Sequence, residues 1–154
     1  MIDCDRTMLL SVLQAIETPA EIPAKARSRE GARVGLLYRA GDWEAAHGAA
    51  QDLKSVEGSF WHGILHRQEQ DWGNAAYWFR RVGAHAAYAA IQGDAVRILS
   101  EHPVAGWRVP EEWDAVRFVD WCEQAAGQPG SRAELVAVQM QAAEFRRLFD
   151  WCVG

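Results

Sequence analysis

A short pattern, Asp-Trp-x-x-Ala, occurs twice near the middle of the chain, first at Asp42 and again at Asp71. Aspartate is favoured at the N-cap of a helix, and each copy is followed by apolar residues at helical spacing. Each copy is also preceded by a segment with the same spacing. The pattern therefore predicts two successive helix pairs, and it constrains the centre of the chain to helices rather than strands.

Apolar residues recur at helical spacing along the rest of the chain as well, and turn residues separate the segments. We expect one of these helices to break at Gly93-Asp94 and another to begin at Pro110. No segment alternates apolar and polar residues for long enough to predict a strand. The expected helices cover about residues 5–17, 28–40, 42–53, 59–70, 71–83, 85–100, 110–126 and 131–152.

The segment from Ala32 to Gly83 resembles a tetratricopeptide-type helical hairpin. Its first helix carries Gly35 and Tyr38, and its second helix carries a small residue after the Asp-Trp pair. The two copies of the pattern lie closer together than the usual repeat of ~34 residues. The resemblance implies TPR-like antiparallel helix pairs rather than a regular array.

Length and composition fit one soluble globular domain. A chain of 154 residues is long enough to bury one sizeable core. We predict a single all-α domain of seven or eight helices over 1–154, with a TPR-like core at about 28–100 and a C-terminal helix pair at about 110–152. The net charge of −5 argues against nonspecific binding of nucleic acid, which requires a basic surface.

The cysteines and the start of the chain predict a cytoplasmic protein. Cys4, Cys122 and Cys152 lie far apart without a CxxC motif, which is typical of reduced thiols, and the last two are expected in the core. The start of the chain is acidic, unlike a signal peptide, and no apolar run is long enough to cross a membrane. Trp151 can pack internally or against a second copy, which leaves a homodimer open.

Residues 61–83 concentrate the side chains that are able to do chemistry: two histidines, three arginines, an asparagine, a tyrosine and three tryptophans. The block resembles a segment of uncharacterised bacterial and fungal proteins. That segment follows the pattern Trp-His-x-x-x-His-Arg-x-Glu-x-Asp, then Asn, then Tyr-Trp-x-Arg-Arg-Val-Gly. The resemblance marks a family and implies no activity.

Helical periodicity places the polar side chains of this block in two stripes beside an apolar seam. We expect the two stripes to border one groove of the hairpin. Asp42 and Asp71 are expected to cap helices rather than to act as catalytic groups. The first stripe holds His62, His66 and Glu69, and the second holds Asn74, Tyr77 and Arg81.

Two histidines one helical turn apart can bind a single divalent metal ion, which makes His62 and His66 a candidate metal pair. A third ligand must come from elsewhere in the chain. The candidates for it are His47, His85 and Glu69. Alternatively, both histidines bond to the backbone, to carboxylates or to a tyrosine hydroxyl within a packed hairpin.

The arginines of the block indicate a second kind of site, one that recognises an anion. Guanidinium groups suit carboxylate or phosphate, and Asn74 and Tyr77 can add oriented hydrogen bonds. The alternative is that the arginines pair with carboxylates of the same hairpin. These arginines are Arg67, Arg80 and Arg81.

The sequence shows no complete catalytic constellation. It lacks a nucleophile elbow, a phosphate-binding loop and a dinucleotide-binding turn, and Gly63 stands where a zinc metalloprotease carries its catalytic glutamate. We therefore predict a non-enzymatic binding module, without a cofactor, whose groove takes a small anionic ligand or a peptide. The alternative is a metal-binding protein or an enzyme that uses His62 and His66 with Glu69. The predicted ligand-binding residues are His62, His66, Arg67, Glu69, Asn74, Tyr77, Arg80 and Arg81.

Overall fold

The computed structural model describes residues 4–154 of the chain, with side chains from Met8 onward. In this range every regular element is an α-helix, which confirms the predicted all-α class. None of these helices is both long and apolar enough to cross a membrane. The helices are α1 (Cys4–Gln14), α2 (Arg29–Arg39), α3 (Trp43–Asp52), α4 (Val56–Gln68), α5 (Trp72–Val82), α6 (Tyr88–Glu101), α7 (Ala115–Ala126) and α8 (Arg132–Val153).

Short-range signals in the sequence fix several helix ends. Asp42 before α3 and Ser131 before α8 each accept a hydrogen bond from the backbone N–H three residues later, at 3.1 Å. Both residues therefore act as the predicted N-caps. Gly41 after α2 and Gly83 after α5 have φ angles of 87° and 65°, values that favour glycine and end a helix.

The predicted break at Gly93-Asp94 is wrong, because α6 runs through both residues without interruption. A Cβ atom on Gly93 would meet no other atom within 4 Å, so no close contact at this position interrupts the helix. The Asp94 carboxylate accepts two hydrogen bonds from Arg147 of α8, at 2.7 and 3.0 Å. This pairing ties the middle of α6 to α8 at the point where a break was expected.

The predicted start of a helix at Pro110 is also wrong, because α7 begins only at Ala115. Asp114 caps it, and its carboxylate accepts a hydrogen bond from a backbone N–H of the first turn at 3.0 Å. Trp113, directly before the cap, is buried in the core. The cap and the buried indole together set a later start than the proline suggests.

Helices that are neighbours in sequence pack against each other in the first half of the chain: α2 on α3, α3 on α4 and α4 on α5. Loops 40–42 and 69–71 join α2 to α3 and α4 to α5. Connections this short join antiparallel neighbours. The arrangement is compatible with TPR-like helix pairs.

The long C-terminal helix α8 closes the domain. It packs against α1, α2, α6 and α7. Buried apolar side chains form one core cluster that extends from Leu9 in α1 to Cys152 in α8. The described residues therefore form a single domain around one core.

Two glycines let helices and aromatic rings approach closely. A Cβ atom on Gly35 of α2 would lie 2.9 Å from the ring of Phe149, and one on Gly63 of α4 would lie 2.9 Å from the ring of Phe79. Neither distance leaves room for a carbon atom. The Phe79 ring of α5 therefore packs directly on the backbone of α4.

The two cysteines with described side chains, Cys122 and Cys152, form no disulfide and are buried, as predicted for core thiols. Burial raises the pKa of Cys152 to about 12, so this thiol stays protonated at neutral pH. A protonated, buried thiol is not a nucleophile. The side chain of Cys4 lies outside the described residues.

Candidate metal centre formed by three histidines

Three histidine side chains from two helices converge at one point of the structure. His62 and His66 lie one turn apart on α4, and the centroids of their parallel rings are 5.4 Å apart. His47 on α3 faces both, with its ring nearly perpendicular to theirs and centroid distances of 4.8 and 5.1 Å. Nε2 of His47 lies 3.2 Å from Nε2 of His62. One ring nitrogen of each histidine lies within 4.8 Å of those of the other two.

Trp43 holds α3 in position against α4. Its indole Nε1 donates a hydrogen bond to the backbone carbonyl of Leu65, at 2.9 Å. Its ring stacks on His47, one turn later, with centroids 4.7 Å apart and planes 9° apart. Asp42 caps α3 directly before Trp43 and so fixes where the helix begins. His47 lies one turn after Trp43, and its position follows from that start.

Trp78 of α5 covers the opposite side of the cluster. Its ring stacks on His62 with centroids 4.0 Å apart and planes 8° apart. His62 is only 3% exposed, whereas His47 and His66 are half-buried. Solvent therefore reaches the cluster past the edges of His47 and His66.

Asp71 and Asn74 approach His66 from α5. Nδ1 of His66 lies 3.5 Å from the Asn74 amide nitrogen and 3.8 Å from the Asp71 carboxylate. An amide nitrogen can only donate, so of these two groups the Asp71 carboxylate is the one that can accept an N–H from Nδ1. With the proton on Nδ1, the lone pair of Nε2 is left for an ion, and a carboxylate in this place orients a histidine ligand. Asp71 stands at the predicted N-cap of α5, but its carboxylate accepts from the Asn74 amide, at 3.3 Å, instead of from a helix N–H.

Burial and mutual repulsion keep two of the imidazoles neutral. Burial lowers the pKa of His62 to about 4, and the nearby His47, His66 and Lys54 act in the same direction. Burial and His47 also lower the pKa of His66, against the opposing charges of Asp71 and Glu69. Both histidines therefore keep a free lone pair at neutral pH, which is the form that binds metals.

We expect the free energy of unfolding of the metal-free protein to fall by about 2 kcal/mol between about pH 7.5 and about pH 5. The unfolded chain binds a proton at His62 below the ordinary value of 6.5, whereas the folded state does so only near 4. Stability is therefore complete above the ordinary pKa and is lost as the pH falls towards the folded one. Urea unfolding at a series of pH values measures this slope. A His62→Phe variant, which keeps a ring but cannot titrate, should show a flatter profile, and an unchanged slope would contradict the assignment.

The spacing of the nitrogens suits a tetrahedral ion. Two nitrogens bound to zinc at 2.0–2.1 Å with a tetrahedral angle lie about 3.3 Å apart. Nε2 of His47 and Nε2 of His62 already lie 3.2 Å apart. The His66 nitrogen lies within 4.8 Å of the other two, so the His66 side chain has to move closer for all three to bind one tetrahedral ion. Imidazole nitrogens suit Zn²⁺, Co²⁺, Ni²⁺ and Cu²⁺.

Arg67, predicted to bind a ligand, lies in the core instead. It is 2% exposed and pairs with Glu144 of α8, through an Nη1–Oε2 hydrogen bond of 3.1 Å and a second bond from Nη2 to Oε1. Burial acts to lower the pKa of Arg67, but the charge of Glu144 outweighs it and raises the pKa above its ordinary value. The rings of Phe79 and Phe118 flank the guanidinium. A charge that is paired and enclosed in this way is not available to a ligand, and it would be left unpaired in the core if its partner were removed.

Of the other predicted anion-binding residues, Tyr77 and Arg81 lie next to Trp78, beside the histidine cluster, and Arg80 does not. Exposed Arg81 donates a hydrogen bond to the Tyr77 hydroxyl, at 3.4 Å, and its guanidinium lies 5.5 Å from the centroid of the Trp78 ring. Arg80 is also exposed and lines a separate cleft together with Glu112. The structure therefore does not gather the predicted arginines into one groove.

Of the three candidates for a third metal ligand, the structure brings His47 to the pair. His85 lies elsewhere, because its Nε2 is 3.1 Å from a carboxylate oxygen of Glu57 and its Nδ1 accepts from the backbone N–H of Ala87, at 3.0 Å. Glu69 is exposed at the end of α4. Its charge acts on His66, but its carboxylate is not among the converging atoms.

The sequence gives only a weak signal for the two tryptophans that enclose the cluster. Trp43 precedes His47 by one helical turn, which is the spacing of a stacked pair. The periodicity of α5 places Trp78 on the apolar side of its helix and does not indicate that it covers a histidine. No protein-family model, no curated protein and no solved structure matches the chain.

Proposed function

We propose that the protein binds one zinc ion, or a divalent ion of similar chemistry, through His47, His62 and His66. The observation that carries the proposal is the convergence of three imidazole nitrogens within 4.8 Å of one another, two of them at 3.2 Å. Three histidines are a common ligand set for zinc. The proposal takes the metal-binding alternative of the sequence analysis and adds His47 as the third ligand.

A metal explains the cluster better than packing does. A hydrogen bond between His47 and His62 satisfies one N–H of that pair. It does not explain why a nitrogen of His66 lies at the same point. Buried histidines are usually paired with carboxylates or backbone groups, whereas His47 and His62 face each other through their Nε2 atoms. Since burial keeps His62 and His66 neutral, their lone pairs can bind a cation placed between them.

Groups around the ligands support the same function. The Asp71 carboxylate lies 3.8 Å from Nδ1 of His66, on the side where a carboxylate accepts the N–H of a metal-bound histidine. Stacking on Trp43 and Trp78 restricts the rings of His47 and His62. Ligands that are already oriented lose little conformational freedom when the ion binds.

The test is calorimetric titration of the metal-free protein, produced without a polyhistidine tag, with zinc chloride. We expect one ion to bind per chain. The single variants His47→Ala, His62→Ala and His66→Ala should each weaken zinc binding by more than about 100-fold, which exceeds the usual effect of losing a second-sphere partner.

A matched control is His102→Ala, which removes a histidine at the end of α6, outside the cluster. Its zinc affinity should equal that of the unmodified protein. Far-ultraviolet circular dichroism establishes that each variant is folded. The proposal is wrong if the folded protein does not bind zinc, or if the cluster variants bind it as well as the control.

A further inference from the structure

We propose that the ion held by these histidines keeps one coordination position open, and that this position takes a small carboxylate. The inference rests on the proposed metal site and names the class of ligand that the site admits. The metal and the small anion would then share one site. The anion binds to the ion and not to the arginines.

Three protein donors converge at the site, one fewer than a tetrahedral ion binds. Among the described residues, the histidine triad is the only group of three or more metal-ligating side chains that converges, and no carboxylate or thiol belongs to it. The Asp71 carboxylate lies 3.8 Å from Nδ1 of His66 and is not among the converging atoms. A tetrahedral ion with three protein ligands binds its fourth ligand from solution, whereas structural zinc sites are closed by four protein ligands.

The charge of the bound ion favours an anionic ligand at the open position. Metal-bound imidazoles are neutral, so three of them leave the ion with its full double positive charge. The fixed charges named nearby are one positive, Lys54 beside His62, and two negative, Asp71 and Glu69 beside His66, so their sum is smaller than the charge of the ion. The charge of the ion therefore dominates the position and favours an anionic oxygen over a neutral one.

The burial of the histidines limits the size of a ligand that can reach the ion. His62 is 3% exposed and lies under Trp78, and His47 lies under Trp43. The side chain of His66 is 13% exposed. Because an indole ring covers each of these two imidazoles, little room is left around the ion, and this favours a small ligand.

Cobalt makes the open position visible, because the visible absorption of Co²⁺ depends on the number and type of its ligands. The tag-free protein is loaded with Co²⁺ and titrated at about pH 6.5, below the pH at which metal-bound water becomes hydroxide and competes. The probes are acetate, the neutral acetamide of the same shape, and the larger benzoate. His47→Ala, mixed with the same amount of Co²⁺, reports signals that arise away from the cluster.

We expect a saturable change of the cobalt spectrum with acetate, and at least about tenfold weaker responses to acetamide and to benzoate. The His47→Ala variant should show neither the protein-bound cobalt spectrum nor an acetate response. If the cobalt spectrum is present but acetate leaves it unchanged, the position is closed and this inference fails, while the proposed metal site stands. Equal responses to acetate and acetamide, or to acetate and benzoate, also overturn it. A protein that binds no cobalt and no zinc removes the proposed function itself.

Discussion

Replacing Glu144 with glutamine is expected to lower the free energy of unfolding by about 3–5 kcal/mol, the cost of leaving a buried charge without its partner. Arg67 and Glu144 are 2% and 0% exposed, so water cannot take the place of the lost carboxylate. Arg67 remains charged, because an arginine does not lose its proton in proteins. The flanking Phe79 and Phe118 rings offer it far less than a carboxylate does.

Urea unfolding followed by circular dichroism measures this loss. The matched control is Glu101→Gln, which breaks the exposed pair between Glu101 and Arg97, whose side chains are 53% and 59% exposed. That change should cost less than about 1 kcal/mol. The double variant Arg67→Met with Glu144→Leu should be more stable than Glu144→Gln, because it leaves no unpaired charge. Equal costs for Glu144→Gln and Glu101→Gln would show that the buried pair has no special role.

Zinc is expected to raise the melting temperature of the metal-free protein by about 5–10 °C at a free concentration of about 100 times the dissociation constant. The physical reason is that the ion binds the folded arrangement of His47, His62 and His66 and not the separated histidines of the unfolded chain. Adding EDTA should return the melting temperature to its original value. Differential scanning calorimetry of the apo, zinc-loaded and EDTA-treated protein measures the shift.

Magnesium serves as the control ion, since it prefers oxygen ligands and should leave the melting temperature unchanged. Among the variants, His102→Ala should keep the full zinc-dependent shift and His62→Ala should lose it. A shift that persists in His62→Ala would place the stabilising ion somewhere other than the histidine cluster.

The helices were largely predictable because their signals are local. Asp42 and Ser131 cap their helices through backbone groups only three residues away, and Gly41 and Gly83 end helices through their own φ angles. The wrong boundary at Gly93-Asp94 has a distant cause. Arg147, which pairs with Asp94, lies 53 residues further along the chain.

The candidate site was likewise predictable only where its signals are local. The relation between His62 and His66 is one helical turn and can be seen in the sequence. The choice of His47 as the third ligand depends on how α3 packs on α4, and nothing in the local sequence separates it from His85.

Arg67 shows the limit of reading function from proximity in sequence. It follows His66 directly, yet one step along a helix turns a side chain by about 100 degrees, towards the opposite face in this case. Its partner Glu144 lies 77 residues away, on α8. A charge buried between two distant helices is a property of the tertiary structure, and the block of residues around it in sequence contains no sign of its partner.

The contact between Gly63 and the Phe79 ring limits which catalytic side chains this fold can acquire. Gly63 lies between the two proposed ligands of α4, at the place where a metal-dependent hydrolase would need a proton-accepting side chain. Any such side chain would first have to displace the Phe79 ring, which already lies 2.9 Å from the site of a Cβ atom. The packing of α5 on α4 and the acquisition of a catalytic base at this position are thus mutually exclusive, and a change of chemistry here would have to begin with a change of the core.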